Sequence, residues 1–217
     1  MTSVWRKGGP VLFALALLPA GAVVGRPAGA WASPVFPPAY RVSIIPAPKN
    51  SAVQIVGPMN DEGDVLGEAN YGTDPAFLKT LTFLYRGGVS ASLGAPSGFC
   101  QTQLGAGPNN LGEFAAYAFA CAGSLLPQPT SFRGQLTGAG VRWTKLVGPT
   151  GQAVWTWADG INSSGNIVGR LGSTKVTAVW PAGSDRAVIH SLKSPPGWVG
   201  GAGDIDDDGD LVGELSP

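Results

Sequence analysis

The feature that most constrains this fold is a short turn motif that returns along the chain. Its clearest copy runs from Gly160 to Gly169 and contains Asn162 and Gly165. An asparagine side chain can cap a turn by bonding to nearby backbone groups, and glycine can take the positive φ that closes it. Ile167 and Val168 then restart a β-branched run. The motif predicts a tight hairpin between two short apolar strands.

Four copies of the motif divide the chain into repeats. They occupy residues 59–67, 108–116, 161–169 and 205–213. Their anchor residues, separated by 49, 53 and 44 positions, are Asn60, Asn109, Asn162 and Asp206. The second copy looks badly eroded. Strand-like runs between the anchors suggest about four short strands in each repeat.

This spacing predicts an all-β repeat array of short antiparallel sheets, similar to the blades of a β-propeller. Only 13% of residues are charged and glycines number 33, which suits short strands joined by tight turns. One blade cannot bury its own face, so neighbours must share a core. We expect much of that core from the tryptophans at positions 143, 155, 157, 180 and 198.

The two ends of the repeat region leave two arrangements open. A strand-like run at 40–45 precedes the first turn, and the last copy stops just after a turn, at Glu214 and Leu215. The last strand can complete the first sheet and so close a ring. Alternatively, it forms an exposed edge, which charged residues and Pro217 would protect from pairing.

The first 32 residues have the features of a cleavable signal peptide with a helical apolar core. Arg6 and Lys7 precede an apolar run at 11–18, and residues 30–32 form a small-x-small cleavage site. Pro19 breaks a run that is already too short to span a bilayer, which disfavours the alternative of a retained anchor. Residues 33–39 are predicted to form an extended lead-in to the fold, and residues 40–217 are predicted to form one β-repeat domain. The chain is therefore expected to be secreted, periplasmic or at the cell surface.

The charge and cysteine content of the chain indicate which classes of partner and which cellular compartment to expect. The chain has 14 basic and 14 acidic residues, and basic residues in the leader leave the mature part mildly acidic. It has no basic patch, so we expect no nucleic-acid partner. The two cysteines, Cys100 and Cys121, predict a disulfide in an exported protein, with two unpaired buried thiols as the alternative.

The repeat resembles the probable extracellular HAF repeat family. The resemblance rests on a Tyr-x-Val start at 40–42, on the motif at 158–169, and on the strands at 76–78 and 178–180. The histidine that names the family motif is absent before Ala76 and Ala178. The resemblance implies an exported, propeller-like protein, and it transfers no catalytic residues.

The fourth copy of the turn is the sharpest chemical feature. Carboxylates at alternate positions followed by glycine match the opening of a calcium loop, with candidate ligands Asp204, Asp206, Asp208 and Asp210. The closing ligand is missing, because the twelfth position is Leu215. The alternative is an ordinary repeat turn in which Asp206 replaces the usual asparagine. Calcium is the one cofactor that the sequence suggests.

Catalytic candidates are weaker. His190, the only histidine, could be grouped with Ser191 and Asp185, but no nucleophile-elbow motif frames any serine. Paired carboxylates for glycoside hydrolysis could be drawn from Glu62, Glu68 and Glu113, although nothing sets any two of them apart. We therefore predict that the protein is not an enzyme.

Tryptophan faces can also stack on sugars, and Trp198, flanked by proline and glycine, is the candidate for this role. We expect a non-enzymatic scaffold or binding module, with a carbohydrate- or cell-wall-binding module and a secreted hydrolase as alternatives. Its partner is an extracellular glycan or protein of unknown identity.

Overall fold

In the computed structural model of the protein, antiparallel strands make up all the regular secondary structure of the described residues. The structure describes residues 44–72, 79–121, 128–151, 155–172, 176–190, 196 and 199–216. Within these residues there are 14 strands and no helix, and therefore none with the length and hydrophobicity that a membrane span requires. The predicted signal peptide at 1–32, the lead-in at 33–39 and the resemblance at 40–42 and 76–78 lie outside them.

The strands form three four-stranded antiparallel sheets and one two-stranded sheet, and within each sheet every strand pairs with the next along the chain. Repeat 1 contains β1 (Ser51–Met59), β2 (Val65–Tyr71), β3 (Lys79–Arg86) and β4 (Val89–Ser92). Repeat 2 contains β5 (Phe99–Ala106), β6 (Glu113–Ala120), β7 (Thr130–Thr137) and β8 (Gly140–Lys145). Repeat 3 contains β9 (Thr156–Ile161), β10 (Ile167–Leu171), β11 (Val176–Trp180) and β12 (Val188–Ile189). Repeat 4 contains β13 (Val199–Ile205) and β14 (Leu211–Ser216).

The burial of each strand reflects its place in the sheet. Along β9 buried and half-buried residues alternate, as expected of a strand with one covered face. In β10 four of the five residues are buried, and in β2 the first five of the seven, because these strands lie inside a sheet whose two faces are both covered. The prediction of about four short strands per repeat is confirmed for the first three repeats.

The hydrophobic core lies between neighbouring repeats. Repeats 2 and 3 share the cluster that contains Ala115, Ala158 and Trp180. A second cluster joins Val168 of repeat 3 to Ala202 of repeat 4. Repeats 1 and 2 share a third, which includes Leu66, Phe114, Ala116 and Trp143. Each repeat thus buries its apolar face against the next one, as the spacing of the motif predicted.

The tryptophans contribute unequally to this core. Trp180 is fully buried, and its indole N–H donates to the carbonyl of Val147 at 2.9 Å. Trp143 and Trp157 are half-buried and make edge-to-face contacts with Phe114 and Tyr117. The expectation for Trp155 was wrong: it precedes β9 and is 39% exposed. Trp198 lies outside the described residues.

Other local predictions were wrong at their edges. Ile44 and Ile45 lie outside any strand. Among the described strands, β14 pairs with β13 and not with the first sheet, which already has four strands of its own. Ile45–Pro217 forms one compact unit.

Candidate functional site

The four repeat turns adopt one backbone geometry. In each, the anchor N–H donates to the carbonyl four residues later, and the N–H three residues after the anchor donates back to the anchor carbonyl. The donor of this second bond is a glycine with φ between 71° and 89° in all four turns. Positive φ is accessible to glycine at little cost, which explains why the motif requires it. These glycines are Gly63, Gly112, Gly165 and Gly209.

The anchor side chain holds its own turn closed. Asn109 Oδ1 accepts hydrogen bonds from the N–H groups of Leu111 and Glu113 at 3.0 and 2.8 Å. Asn60 and Asn162 make corresponding bonds within their turns. Asp206 also accepts one, from the N–H of Asp210 at 2.8 Å. The eroded second copy therefore folds like the others, because its asparagine and glycine suffice.

The same asparagines also connect the repeats. Asn60 Nδ2 donates to the carbonyl of Asn109 at 3.2 Å, and Asn109 Nδ2 donates to that of Asn162 at 3.1 Å. Asn162 Nδ2 in turn donates to the carbonyl of Asp206 at 2.9 Å. We call this series the asparagine ladder. It ends at Asp206, whose carboxylate has no N–H to donate.

A second row of contacts runs beside the ladder. Asp61 donates its N–H to Asn110 Oδ1 at 3.0 Å and accepts from Asn110 Nδ2 at 2.6 Å. Ser163 donates its N–H to the carboxylate of Asp207 at 2.8 Å. Hydrogen bonds from the Ser163 side chain and from its N–H lower the pKa of the exposed Asp207 carboxyl. The residue after each anchor thus faces solvent and contacts a neighbouring turn.

Together the four turns line an open depression of about 420 Å³. Its floor and walls come from the anchors and the residues beside them. Most of the lining is polar, and Met59 and Ile161 add apolar surface. This depression is the candidate functional site. Sequence reasoning found the turns but missed that asparagine side chains join them into one surface. The recurrence of asparagine at the anchors was the available signal.

Two ion pairs, each with a buried member, lie behind the turns and hold them in position. Arg133 on β7 lies 3.5 Å from Glu113, and its Nη1 donates to the carbonyl of Gly165 at 2.5 Å. Burial lowers the pKa of this arginine. Arg86 Nη2 lies 2.5 Å from the buried Asp64 carboxylate, and this bond lowers the pKa of Asp64. No local pattern in the sequence indicates either pair, because the partners are far apart along the chain.

A third buried group connects repeats 2 and 3. The Tyr117 hydroxyl donates to Asp159, whose other oxygen accepts from Arg170 Nε at 3.1 Å. Burial, together with the Asp159 carboxylate, raises the pKa of Tyr117. All three side chains are bonded to each other within the protein, so the contact is a structural link between strands.

The predicted calcium ligands all lie on the surface at the end of the ladder. Asp204 accepts from the N–H of Ile205 at 2.9 Å, and Asp206 closes its turn as described above. Asp208 and Asp210 are exposed. Across the described ranges no group of three or more His, Cys, Asp or Glu side chains could hold a metal ion. Calcium binding here stays a prediction, which melting in calcium and in chelator tests.

The candidate catalytic residues occupy separate contacts. Glu68 is buried and accepts from the N–H of Leu104 at 2.8 Å, and its burial raises its pKa. Glu113 faces Arg133, whereas Glu62 lies exposed in the first turn. His190 is exposed and follows β12. Ser191 and the sugar-stacking candidate Trp198 lie outside the described residues.

The predicted disulfide is present between Cys100 and Cys121, whose Cα atoms are 4.8 Å apart. Cys100 is on β5 and Cys121 follows β6 directly, so the bond closes the open end of the hairpin that carries the Asn109 turn.

Comparison with models of known protein families found no match, and searches of curated proteins and of solved structures found no significant similarity.

Proposed function

We propose that this chain is an exported, non-enzymatic repeat protein that acts as a scaffold or binding module outside the cell or at its surface. The observation that carries the proposal is the asparagine ladder. It fixes four turns from four repeats into one rim and leaves the residue after each anchor facing solvent. A rigid surface of this kind is suited to binding, since little ordering is needed when a partner arrives.

The proposed architecture is β-propeller-like, with repeats of the HAF type. Three sheets of four strands in simple up-and-down order are what propeller blades contain. The first strand of each later sheet packs against the preceding one, as the clusters shared between repeats illustrate. The disulfide is compatible with an oxidising compartment, in line with the leader.

Binding of carbohydrate or cell-wall polymer is the second candidate. It is favoured by the lining of the depression, where amide, carboxylate and hydroxyl groups of Asn110, Asp61 and Ser163 lie close to Met59 and Ile161. Such groups can bond to sugar hydroxyls while the apolar side chains contact the ring.

Retention of the purified chain on insoluble polysaccharides and cell-wall fractions tests the binding site. We expect that Asn110→Ala and Ser163→Ala reduce retention, because both side chains line the depression. Gln128→Ala is the matched control, since Gln128 is exposed but does not line it. Equal retention of all variants would place the binding surface elsewhere, and no retention of the parent chain would favour a scaffold role.

Export is tested separately. Cell fractionation should recover the chain outside the cytoplasm with a new N-terminus near position 33, and a variant lacking residues 1–32 should remain inside. Recovery of the uncleaved chain in membranes would contradict the signal-peptide assignment.

A further inference from the structure

The row of contacts beside the asparagine ladder is complete at two of the three steps between neighbouring turns. At the step from repeat 1 to repeat 2, the N–H of Asp61 donates to Asn110 Oδ1 at 3.0 Å. At the step from repeat 3 to repeat 4, the N–H of Ser163 donates to the Asp207 carboxylate at 2.8 Å. In both, the residue after one anchor donates its N–H to the side chain of the residue after the next anchor.

The step from repeat 2 to repeat 3 lacks this contact. The pattern assigns the N–H of Asn110 to the side chain of Ser163, but among the described residues this N–H has no hydrogen-bond partner. A serine oxygen lies one bond from Cβ, whereas the oxygens of asparagine and aspartate lie two bonds from it. The Ser163 hydroxyl also donates to Asp207 instead. We call the space between Asn110 and Ser163 the open step.

The turns themselves are no further apart at the open step than elsewhere. Asn109 Nδ2 donates to the Asn162 carbonyl at 3.1 Å, and the ladder bonds on either side measure 3.2 and 2.9 Å. The open step is therefore the space that the tip of an asparagine or aspartate side chain fills at the other two steps. Asn110 and Ser163 are exposed and both line the depression, so a ligand can reach this space.

The charge of the depression restricts what can occupy the open step. Asp61, Asp204, Asp206 and Asp207 line the depression, and no lysine or arginine is among its described lining residues. Ionised carboxylates accept hydrogen bonds and repel other anions. A carboxylate or phosphate of a ligand is thus disfavoured, and the acceptor for the Asn110 N–H has to belong to a neutral group.

The contact between repeats 1 and 2 indicates which neutral group fits. There the Asn110 carboxamide accepts from the backbone N–H of Asp61 and donates back to the Asp61 carboxylate at 2.6 Å. One residue thus binds both polar atoms of an amide, through its own N–H and through a side-chain oxygen. Asn110 offers the same two groups at the open step. Its N–H is unpaired among the described residues, and its Oδ1 can accept a second hydrogen bond.

We propose that the open step binds the acetamido group of an N-acetylated amino sugar. The acetamido carbonyl accepts from the Asn110 N–H, and the acetamido N–H donates to Asn110 Oδ1. The sugar ring contacts the apolar side chains of the same depression, Ile161 and Met59, of which Met59 is 67% exposed. An acetamido group projects from its ring as a side-chain tip does, whereas a peptide amide is flanked by chain on both sides. The inference rests on the proposed glycan binding of the depression and specifies the sugar.

Titration of the isotope-labelled chain with three soluble oligosaccharides tests the assignment by nuclear magnetic resonance. The oligomer of N-acetylglucosamine should shift the backbone amide resonance of Asn110. It should bind on the order of tenfold more tightly than a glucose oligomer of the same length, because glucose lacks the group that makes both hydrogen bonds. The glucosamine oligomer, which carries an ammonium group in place of the acetamido group, should also bind more weakly than the N-acetylated one.

Substitutions of Ser163 separate the open step from the rest of the depression. Ser163→Asn should abolish the preference for the N-acetylated oligomer, because the new carboxamide fills the open step and accepts from the Asn110 N–H. Asparagine holds the corresponding position in repeat 2, so the variant should keep a cooperative melting transition. Ser163→Ala is the matched control: it leaves the space open, and should keep the preference even where it reduces retention overall.

Several outcomes would overturn the inference. One is a preference for N-acetylglucosamine that survives in folded Ser163→Asn, and another is an Asn110 resonance that does not move, which needs no variant. A short N-acetylated peptide that binds as tightly as the sugar would assign the open step to peptides. Equal binding of the three oligosaccharides, or tighter binding of the glucosamine oligomer through the aspartates, would overturn the inference but leave glycan binding in place. No binding of any oligosaccharide would contradict both.

Discussion

The turns at Asn109 and Asp206 have the same backbone hydrogen bonds but very different roles. Asn109 is buried, accepts two bonds within its turn and donates one to the next repeat. Asp206 is exposed, and its side chain accepts one bond, within its own turn. The turn that looks eroded in sequence is central to the array, whereas the turn that looks chemically special is its end. The side-chain amide nitrogen makes this difference.

Loss of the disulfide should have the largest effect on the hairpin that carries the Asn109 turn. The double change Cys100→Ser and Cys121→Ser should lower the free energy of unfolding by about 2–4 kcal/mol, because it releases the loop between the two strands in the unfolded chain. Urea denaturation measures this. The hairpin that carries the Asp206 turn has no disulfide. If a substitution on its surface lowered the free energy of unfolding by as much, the two hairpins would not differ in the way described.

Truncation of the two anchors tests the comparison directly. Asn109→Ala should cost about 2–3 kcal/mol, because it leaves two part-buried N–H groups of the turn without a partner and removes one of the two donors to the Asn162 carbonyl. Asp206→Ala should cost less than about 1 kcal/mol, since water can replace its single exposed bond. Both are read from urea midpoints. Similar losses for the two variants would show that burial of the anchor is unimportant.

Exchange of the amide and the carboxylate at an anchor position tests the contribution of the side-chain N–H donor alone. Asn162→Asp keeps the acceptor for Asn166 but removes the donation to Asp206, and should cost about 1–2 kcal/mol. The reverse change, Asp206→Asn, should alter stability by less than about 0.5 kcal/mol, because among the described residues the exposed Asp206 side chain makes only the one bond within its own turn. If Asp206→Asn raises the free energy of unfolding as much as Asn162→Asp lowers it, then the place of a turn in the asparagine ladder does not determine the stability of repeat 4.

The smallest effect concerns pH. Asp64, four positions after the first anchor, has its pKa lowered mainly by its hydrogen bond to Arg86. The folded chain therefore binds this proton less readily than the unfolded chain. Its stabilising contribution is complete above the unfolded pKa of about 3.9 and is lost as pH falls through the lower folded value. Because Arg86 is half exposed, we expect about 1 kcal/mol or less.

Acid titration of the melting temperature measures this contribution. Asp64→Asn should flatten the fall below about pH 4. Asp210→Asn, at the same position in the last turn, is the control and should leave the curve unchanged. A parallel shift of the whole curve for Asp64→Asn would indicate a loss of packing instead of a loss of charge.

The sequence was sufficient for those parts of the fold that depend on local chemistry. Asn162, Gly165 and the β-branched pair after them specify a turn and a strand, so the repeat boundaries and the strand content could be predicted. The disulfide followed from composition and an exported context. The prediction for Trp155 was wrong, because apolar type alone does not reveal where a strand begins or which positions a neighbouring repeat covers.

The candidate site was harder to predict, since its contacts join residues far apart in sequence. Nothing local indicates that Asn109 donates to a carbonyl in the next repeat, or that Arg133 reaches the turn at Gly165. The acidic run at 204–210 predicts calcium binding because a sequence motif can be recognised without the positions of its side chains. Its closing ligand and the approach of the carboxylates depend on the backbone, which sequence alone does not provide.

The direction of the asparagine ladder also determines where the protein opens first. Every internal turn is held by its own bonds and by a donor from the preceding repeat, whereas among the described residues the Asp206 side chain gives no bond onward and Val212 of the same repeat is 67% exposed. Amide hydrogen exchange should therefore be fastest in repeat 4 and slow towards repeat 2, where the disulfide and two neighbours restrain the hairpin. The array therefore frays from the repeat at which the ladder stops.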